Sequence, residues 1–298
     1  MSSGALGLDL GGTLIKGVVA TGAGEILRRA MRATNDDGTD LWSVVAKKFA
    51  DDLGRELPVG LAAPGLAARD GRSIAFLPTR LRGIEGLDWT EFLGRERPVP
   101  VANDAHSALA GEAWIGAARG LQNAILLTLG TGVGGAILSE GKILRGHLGR
   151  AGHLGHTCLD VHGPPSIAGT PGALENFLGN HNIAARTGGR FATTHELVAA
   201  FRTGDPEAVR DWLASVHALA CAIASFINIL DPEAVILGGG IAQAGAALFD
   251  PLRAELARIE WRPAGHAVKL LPAALGEWAG AIGAARAALL AGGETGNL

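Results

Sequence analysis

Cysteine is nearly absent from this chain, which contains only Cys158 and Cys221 in 298 residues. Two cysteines do not make a disulfide framework, and so few thiols are typical of proteins from a reducing compartment. The first residues also lack the charged segment and apolar run of a signal peptide. We therefore expect a cytoplasmic protein that is stabilised by its core.

Strong charge and long apolar runs are missing as well. The 26 basic and 29 acidic residues leave a formal net charge of -3, which provides no general attraction for nucleic acid or an anionic membrane. The most apolar window, residues 218–230, is shorter than the ~20 residues that span a bilayer. We interpret it as a buried helix, and we expect a small-molecule ligand with neither nucleic acid nor membrane as partner.

Apolar strands alternate with helical segments along the chain, which is typical of an α/β fold with two sheets. A pattern of strand, Gly-Thr turn and strand occurs at 5–20 and again at 123–138, and it indicates two related halves. We predict a small N-terminal α/β domain over 1–112 and a large α/β domain over 113–278. A final helix, about 279–298, is expected to pack back on the first domain. The other predicted helices cover 39–57, 105–117 and 206–230. In the first of these, the apolar residues that share one face, and that we expect to be buried, are Leu41, Val44, Val45, Phe49 and Leu53.

Three glycine-rich turns follow predicted strands: DLGGT at 9–13, LGTGVGG at 129–135 and LGGGIA at 237–242. Without a Cβ, successive backbone N–H groups can approach phosphate oxygens closely. A single turn of this kind is usually a tight hairpin, but three after three strands can converge on one nucleotide. Neither a Walker A spacing nor a helix-opening G-x-G-x-x-G is present, so P-loop and Rossmann folds are disfavoured.

Polar residues beside these turns suggest phosphate chemistry. Asp9 can orient water on Mg²⁺ or direct a phosphate, and Lys16 either neutralises phosphate or is a solvated strand residue. Thr13 and Thr131 supply hydroxyl donors. Asp104 enters a helix after a strand, where it is either a base that removes a proton from an attacking hydroxyl or part of an N-cap.

Five segments of this chain, in their order, resemble the ROK family, which groups bacterial sugar kinases with related repressors. They are GLDLGGTLIKGVV, VANDAHSALAGE, LLTLGTGVGGAIL, AGHLGH and DPEAVILGGGIA. The resemblance covers about residues 5–290. It implies an actin-like, hexokinase-like (ribonuclease H-like) pair of α/β domains, with the active site in the interdomain cleft. It also implies a homo-oligomer, most simply a dimer.

The resemblance also implies roles for individual residues. The first two turns hold the phosphates of ATP, which is bound with Mg²⁺, and the third lies against adenosine. Asp104 matches the base that takes the proton from a sugar hydroxyl, usually at C6. The residues implied for the nucleotide are Asp9, Gly11, Gly12, Thr13, Lys16, Gly130, Thr131, Gly132, Gly238, Gly239 and Gly240. Those implied for the sugar are Gly65, Asn103, His153, His156 and Glu175.

Several positions depart from the family pattern. The three zinc cysteines of the family are replaced by Ser166, Ala168 and Ala173, so we expect no structural zinc. Cys158 then becomes a small buried hydrophobe, and His147 and His162 become loop or interface residues. A substitute metal on the remaining histidines is disfavoured because their spacing fits no standard structural zinc site.

Two further departures concern the acceptor. His153 stands where the family has a sugar-binding glutamate; a neutral histidine has one donor and one acceptor, whereas a carboxylate has two acceptor oxygens. In FLPTRLRGIEGLDW (76–89), Arg80 and Arg82 face either a substrate anion or solvent. An ATP-dependent sugar kinase is the leading hypothesis.

Two alternatives stay open. The first is a kinase with a non-glucose acceptor or a polyphosphate donor. The second is a non-catalytic sugar-binding regulator. The repressors of the family carry an N-terminal helix-turn-helix, for which a phosphate motif at residue 9 leaves no room.

Overall fold

The computed structural model describes residues 4–293, and it confirms the predicted α/β class. The strands are β1 Ala5–Leu10, β2 Leu14–Ala20, β3 Ile26–Ala33, β4 Val59–Ala63, β5 Leu66–Ala67, β6 Ile74–Phe76, β7 Val101–Asn103, β8 Ala124–Leu129, β9 Val133–Ser139, β10 Lys142–Ile143, β11 Ala234–Gly238 and β12 Lys269–Pro272. The α-helices are α1 Leu41–Gly54, α2 Trp89–Leu93, α3 Asp104–Ile115, α4 Leu174–Leu178, α5 Ile183–Arg186, α6 Thr194–Arg202, α7 Pro206–Leu230, α8 Ala246–Ile259 and α9 Ala279–Ala291. Short 3₁₀ helices include Leu154–His156 and Ile241–Ala244.

The first sheet has the strand order β3-β2-β1-β4-β7. Strands β1 and β2 form an antiparallel hairpin whose register places Asp9 opposite Lys16. Strand β4 pairs parallel with both β1 and β7. The carboxyl ends of these three parallel strands meet at one edge, where ligands bind in open α/β sheets.

In the second sheet, the strands that belong to the second unit repeat this arrangement in the order β9-β8-β11-β12. Strands β8 and β9 form the antiparallel hairpin, and β11 pairs parallel with both β8 and β12. The internal repeat noticed in the sequence is therefore a repeat of topology. In each sheet, the first strand of an antiparallel hairpin also pairs parallel with a later strand.

The chain divides into two compact units. The described part of the first comprises 4–120, 141–151 and 274–293, and the second comprises 121–140 and 152–273. The boundary expected after residue 112 lies inside α3, which continues to Ile115. Helix α9 packs against β1, β4 and α3, all elements of the first unit.

Helix α1 forms where expected, but its buried face differs from the prediction. Of the residues expected to face the core, Leu41 and Val44 are exposed, at 45% and 62%. Trp42 is buried instead, and its indole Nε1 donates to the carbonyl of Arg82 at 3.0 Å. The helix turns Trp42 toward the core in place of Leu41 and Val44, because an indole buries far more apolar area than a leucine or valine side chain.

Glycines allow α9 to lie backbone against backbone on its neighbours. A methyl group built on Gly7 of β1 would lie 1.8 Å from the carbonyl oxygen of Ala281. One built on Gly283 would lie 1.8 Å from the carbonyl oxygen of Ser107 in α3. No side chain fits at either contact, so these glycines determine how closely α9 approaches the sheet and α3.

A buried carboxylate joins α3 to the segment that leads into α9. Glu112 is fully buried. Its Oε2 accepts hydrogen bonds from the backbone N–H of Ala117 at 2.7 Å and of Ala274 at 3.1 Å, and its Oε1 accepts one from Leu275 at 2.9 Å. Buried acceptors of this kind are costly to remove because they satisfy several N–H groups at once.

Helix α7 forms the centre of the second unit. By length and composition this 25-residue helix is apolar enough to cross a membrane. However, one of its faces, which includes Trp212, Leu219 and Phe226, belongs to the core of the second unit. This packing agrees with the prediction of a buried helix for this part of the sequence.

Candidate active site

The first glycine-rich turn, Gly11–Thr13, joins β1 to β2 and is held by Thr34. The Thr34 hydroxyl donates to the carbonyl of Gly11 at 2.6 Å, and its N–H donates to the carbonyl of Thr13 at 2.9 Å. The N–H of Gly11 donates to Leu14 at 3.0 Å. Within residues 4–293, the N–H groups of Gly12 and Thr13 make no hydrogen bond. The carbonyl groups of Gly11 and Thr13 are therefore occupied, whereas the N–H groups of Gly12 and Thr13 are available to an anion.

Asp9 lies beneath this turn and has a strongly shifted pKa. Burial, reinforced by the negative charge of Asp104 and opposed by Lys16, raises the pKa of Asp9 to about 7. Helix α9 packs on the carboxylate so closely that a methyl group on Gly280 would lie 2.7 Å from Oδ2. Lys16 is no freely solvated lysine, since its Nζ lies 3.5 Å from Oε2 of Glu277. Asp9 and Asp104 thus belong to one electrostatic cluster.

Replacing Asp9 with asparagine is expected to change how stability depends on pH. With a pKa of about 7 in the folded state against 3.8 as the ordinary value, the native protein retains a proton that the unfolded chain has lost. Stability therefore falls as pH rises from about 4 to 7. Asp9→Asn should remove on the order of 2 kcal/mol of this fall, as measured by urea unfolding at pH 5 and pH 8. An unchanged pH profile in the variant would contradict the shifted pKa.

Asn103 and Asp104 lie at the carboxyl end of β7, where α3 begins. The side-chain oxygen of Asn103 accepts from the N–H of Ala105 at 3.0 Å and of His106 at 3.3 Å, so Asn103 is the N-cap. Its Nδ2 donates to the carbonyl of Gly65 at 3.0 Å and to Oδ1 of Asp104 at 2.9 Å. Asp104 is exposed, and its Oδ1 also accepts from Ala105 at 2.8 Å. The N-cap hypothesis thus applies to Asn103, which in turn orients the Asp104 carboxylate and the Gly65 peptide.

In the second unit, two of the three glycine-rich turns line one cavity. Gly130, Thr131 and Gly240 border a volume of about 430 Å³, which is within the range of ordinary ligand pockets. The carbonyls of Gly130 and Thr131 accept from the N–H groups of Asn180 and His181. Gly238 and Gly239 do not line the cavity: Gly238 is buried, and Gly239, with φ of 86°, lies against the Leu129 backbone. The sequence therefore located these turns, but only part of each faces the cavity.

The rest of the lining of this cavity was not foreseen from the sequence. It includes Thr193, Thr194, His195 and Arg202 from α6 and its cap, together with Gln243. The hydroxyl oxygen of Thr194 is buried and has no hydrogen-bond partner within residues 4–293. The sequence TTHE could have indicated a helix start, because it is a capping-box pattern, and the Thr193 hydroxyl accepts from the N–H of Glu196 at 3.2 Å. It carried no sign that this helix start faces a cavity.

The predicted sugar-binding residues of the second unit also cluster. Nδ1 of His156 and Oε1 of the buried Glu175 are 3.3 Å apart. The angles do not satisfy a hydrogen bond, so the contact is an ion pair when His156 is protonated. Interaction with the Glu175 carboxylate is the main cause that raises the pKa of His156, and burial opposes it. The ring of His153 lies nearly parallel to that of His156, 6.4 Å away. Gly132 completes the group, because a methyl group on it would lie 2.9 Å from Oε2 of Glu175.

Replacing Glu175 with glutamine is expected to lower the pKa of His156, because the charge that stabilises the imidazolium is lost. A raised histidine pKa stabilises the fold below the ordinary value and loses that contribution as pH rises through the folded value. Glu175→Gln should therefore make the protein less stable near pH 6 and change little at pH 9. NMR titration of the imidazole C–H signals measures the pKa directly. A His156 pKa that is equal in both proteins would contradict the pairing.

The loop that follows the second sheet's hairpin differs from prediction in one respect. Cys158 is exposed rather than buried, although its backbone forms an isolated bridge with the buried Ala173. Ser166 and Ala173 are buried, whereas Ala168 is exposed. Among residues 4–293, no group of three or more His, Cys, Asp or Glu side chains is placed to hold a metal ion.

Comparison with known proteins agrees with this geometry. The model of the ROK family matches residues 5–291. The chain belongs to the ROK family.

Curated relatives include the glucokinase of Thermotoga maritima, 34% identical over 83% of this chain and 85% of that protein. The N-acetylmannosamine kinase of Escherichia coli O157:H7 is 32% identical over 97% of this chain and 98% of that protein. Among solved structures, a ROK glucokinase from Streptomyces griseus in complex with glucose and AMPPNP has a TM-score of 0.78. It is 29% identical, over 97% of this chain and all of that chain. The protein is thus a carbohydrate kinase with the predicted hexokinase-like fold.

Proposed function

We propose that this ROK kinase transfers the γ-phosphoryl group of ATP to a hydroxyl, at C6, of a hexose or a hexose-like substrate. The observation that carries this proposal is the placement of Asp104. Its carboxylate is exposed at the carboxyl end of a parallel strand and is oriented by Asn103 and the N–H of Ala105. In phosphoryl transfer, an aspartate in this position accepts the proton of the attacking hydroxyl.

The second unit fits a nucleotide. The Thr194 hydroxyl is a buried polar group that lacks a partner among the described residues. Space is open around Gly130 and Gly240, since a methyl group on either would meet nothing within 4 Å. In the S. griseus relative, an ATP analogue is bound together with glucose. We assign the nucleoside to the cavity that contains Thr194 and His195, and the phosphates to the glycine-rich turns that line it; Mg²⁺ would be bound with the nucleotide.

The protein itself takes little part in the bond changes of the proposed reaction. The O–H bond of the acceptor breaks and its proton moves to the Asp104 carboxylate. The hydroxyl oxygen forms the new bond to phosphorus, and ADP leaves with the electron pair of the broken P–O bond. The protein's contribution is then positioning and charge neutralisation. Asn103 supports this step because it fixes one carboxylate oxygen and leaves Asp104 accessible.

The acceptor is proposed to differ from glucose in the groups that contact His153. A neutral imidazole cannot accept hydrogen bonds from two sugar hydroxyls as a carboxylate does. Glucokinases and N-acetylmannosamine kinases are relatives at similar sequence identity. Sequence identity therefore does not indicate which of the two acceptors this chain uses. Cytoplasmic location and a homodimer stay predictions.

The test is coupled ADP release with ATP and Mg²⁺ over a panel of hexoses, N-acetylamino sugars and polyols, repeated with polyphosphate. We expect release that depends on one acceptor class and on ATP. His153→Glu should move the preference toward glucose, whereas His147→Glu, a change at an exposed loop histidine, should not. Folded protein that binds ATP but releases no ADP with any acceptor would refute the proposal.

A further inference from the structure

Arg80 lies directly on the first glycine-rich turn. A methyl group built on Gly12 would lie 2.7 Å from Nη1 and 3.4 Å from Cζ of Arg80, and the three heavy atoms nearest to that position all belong to this side chain. Arg80 is exposed, and within residues 4–293 its guanidinium makes no hydrogen bond or ion pair. The sequence alone left open whether Arg80 faces an anion or solvent; the structure places it against Gly12.

The backbone that carries Arg80 is firmly held. The next residue, Leu81, is fully buried and has a φ of 53°. This left-handed backbone conformation costs a leucine about 1 kcal/mol. Its N–H donates to Oδ1 of Asp36 at 3.0 Å, and the carbonyl of Arg82 accepts from the Trp42 indole at 3.0 Å. A strained residue persists only where its surroundings fix it. The position of Arg80 on the turn is therefore set by buried contacts of its neighbours.

The turn beneath Arg80 is prepared for an anion. The carbonyls of Gly11 and Thr13 are bonded to Thr34, whereas the N–H groups of Gly12 and Thr13 have no partner in the described chain. Successive free N–H groups form an anion site, and a guanidinium suits phosphate through its fork of donors. Lys16, the nearby cation that the sequence suggested, is already within 3.5 Å of Glu277.

We propose that Arg80 binds a phosphoryl group at the Gly11–Thr13 turn and neutralises its charge during transfer. This inference deepens the proposed function and rests on it for the reaction. The phosphoryl group belongs either to the terminal phosphates of the donor or to the phosphorylated sugar. In both cases the chemistry is the same: phosphate oxygens accept from the guanidinium and from the N–H groups of Gly12 and Thr13.

The experiment measures binding as well as turnover. Arg80→Ala, Arg80→Lys and Arg82→Ala are titrated by calorimetry with Mg-ATP, adenosine, inorganic pyrophosphate and two sugar phosphates, the 6-phosphates of glucose and of N-acetylmannosamine. Arg82 is the matched control, because it is an exposed arginine of the same segment whose side chain is not among the atoms nearest Gly12. Melting curves confirm that each variant is folded.

We expect Arg80→Ala to weaken ATP or sugar phosphate about 10- to 100-fold, with Arg80→Lys intermediate and Arg82→Ala unchanged. A loss for ATP and pyrophosphate identifies the donor phosphates, and a loss for the sugar phosphate alone identifies the product; adenosine should bind equally in all proteins. Equal binding of every phosphate ligand to Arg80→Ala and wild type would overturn the proposal, as would an equal loss for adenosine. If the wild-type protein shows no kinase activity but its phosphate binding still depends on Arg80, only the proposed function is refuted.

Discussion

Replacing Asp104 with asparagine is expected to lower kcat by about 100- to 10,000-fold, the usual contribution of a general base. The amide has the shape of the carboxylate and still accepts from Asn103 Nδ2 and the N–H of Ala105, so the start of α3 should be preserved. The amide, however, has no basic oxygen to take the hydroxyl proton. KM for the sugar should therefore change much less than kcat.

The measurement is steady-state kinetics with the best acceptor of the panel. Asp40→Asn is a suitable control, since it makes the same change at another exposed aspartate whose side chain makes no capping bond. A second readout follows from the cluster described above. Because the charge of Asp104 helps to raise the pKa of Asp9, Asp104→Asn should lower that pKa. An Asp104→Asn enzyme within a few-fold of wild-type kcat would exclude Asp104 as the base.

Replacing Gly283 with alanine is expected to produce the largest loss of stability, about 2–3 kcal/mol, which is typical of overpacking. Helix propensity alone predicts the opposite, since alanine in a helix interior is favoured over glycine by about 1 kcal/mol. Sterics should prevail because the added methyl would lie 1.8 Å from a backbone oxygen of Ser107 and 2.9 Å from the N–H nitrogen of Gly111. Neither backbone atom can move without separating α3 from α9.

Urea unfolding measures this loss through the shift in midpoint. The control is Ala287→Gly in the same helix, at a half-buried position, where only the propensity cost of about 1 kcal/mol is expected. If Gly283→Ala proved as stable as wild type, the close approach of the two helices would be wrong.

Much of the fold could be predicted because its signals are local. Helix α9 begins at Ala279 as expected and ends at Ala291, whereas the last five residues of the predicted range, 294–298, lie outside the described residues. Strands β1, β2 and β8 fall within the apolar runs that end at glycines. Features that depend on distant partners could not be predicted. Nothing near Glu112 in the sequence indicates that its carboxylate binds the N–H of Leu275, 163 residues away. The buried face of α1 was predicted only in part: Phe49 and Leu53 are buried as expected. Trp42 is buried in place of Leu41 and Val44, and it bonds to Arg82, 40 residues away.

In the candidate site, too, local patterns could be predicted and contacts between distant residues could not. The turns, Asn103 and Asp104 were identified because glycine and short polar residues after a strand form a recognisable local pattern. Their neighbours from distant parts of the chain were not. Thr194 and His195 line the same cavity as the turns only because α6 packs there. Arg80 reaches Gly12 only because Leu81 is buried in a rare backbone conformation.

The packing of α9 has a consequence for how the chain is made. Gly7 and Ala281, whose backbones touch, are separated by about 270 residues, which a ribosome takes roughly 15–50 s to synthesise. Until α9 emerges, the face of β1 and β4 that it covers has no partner, whereas every strand pair of the second unit's β8, β9, β11 and β12 is already available. The half of the protein that is synthesised first is therefore the half that completes its folding last, and in the meantime its exposed sheet is the part most dependent on protection from aggregation.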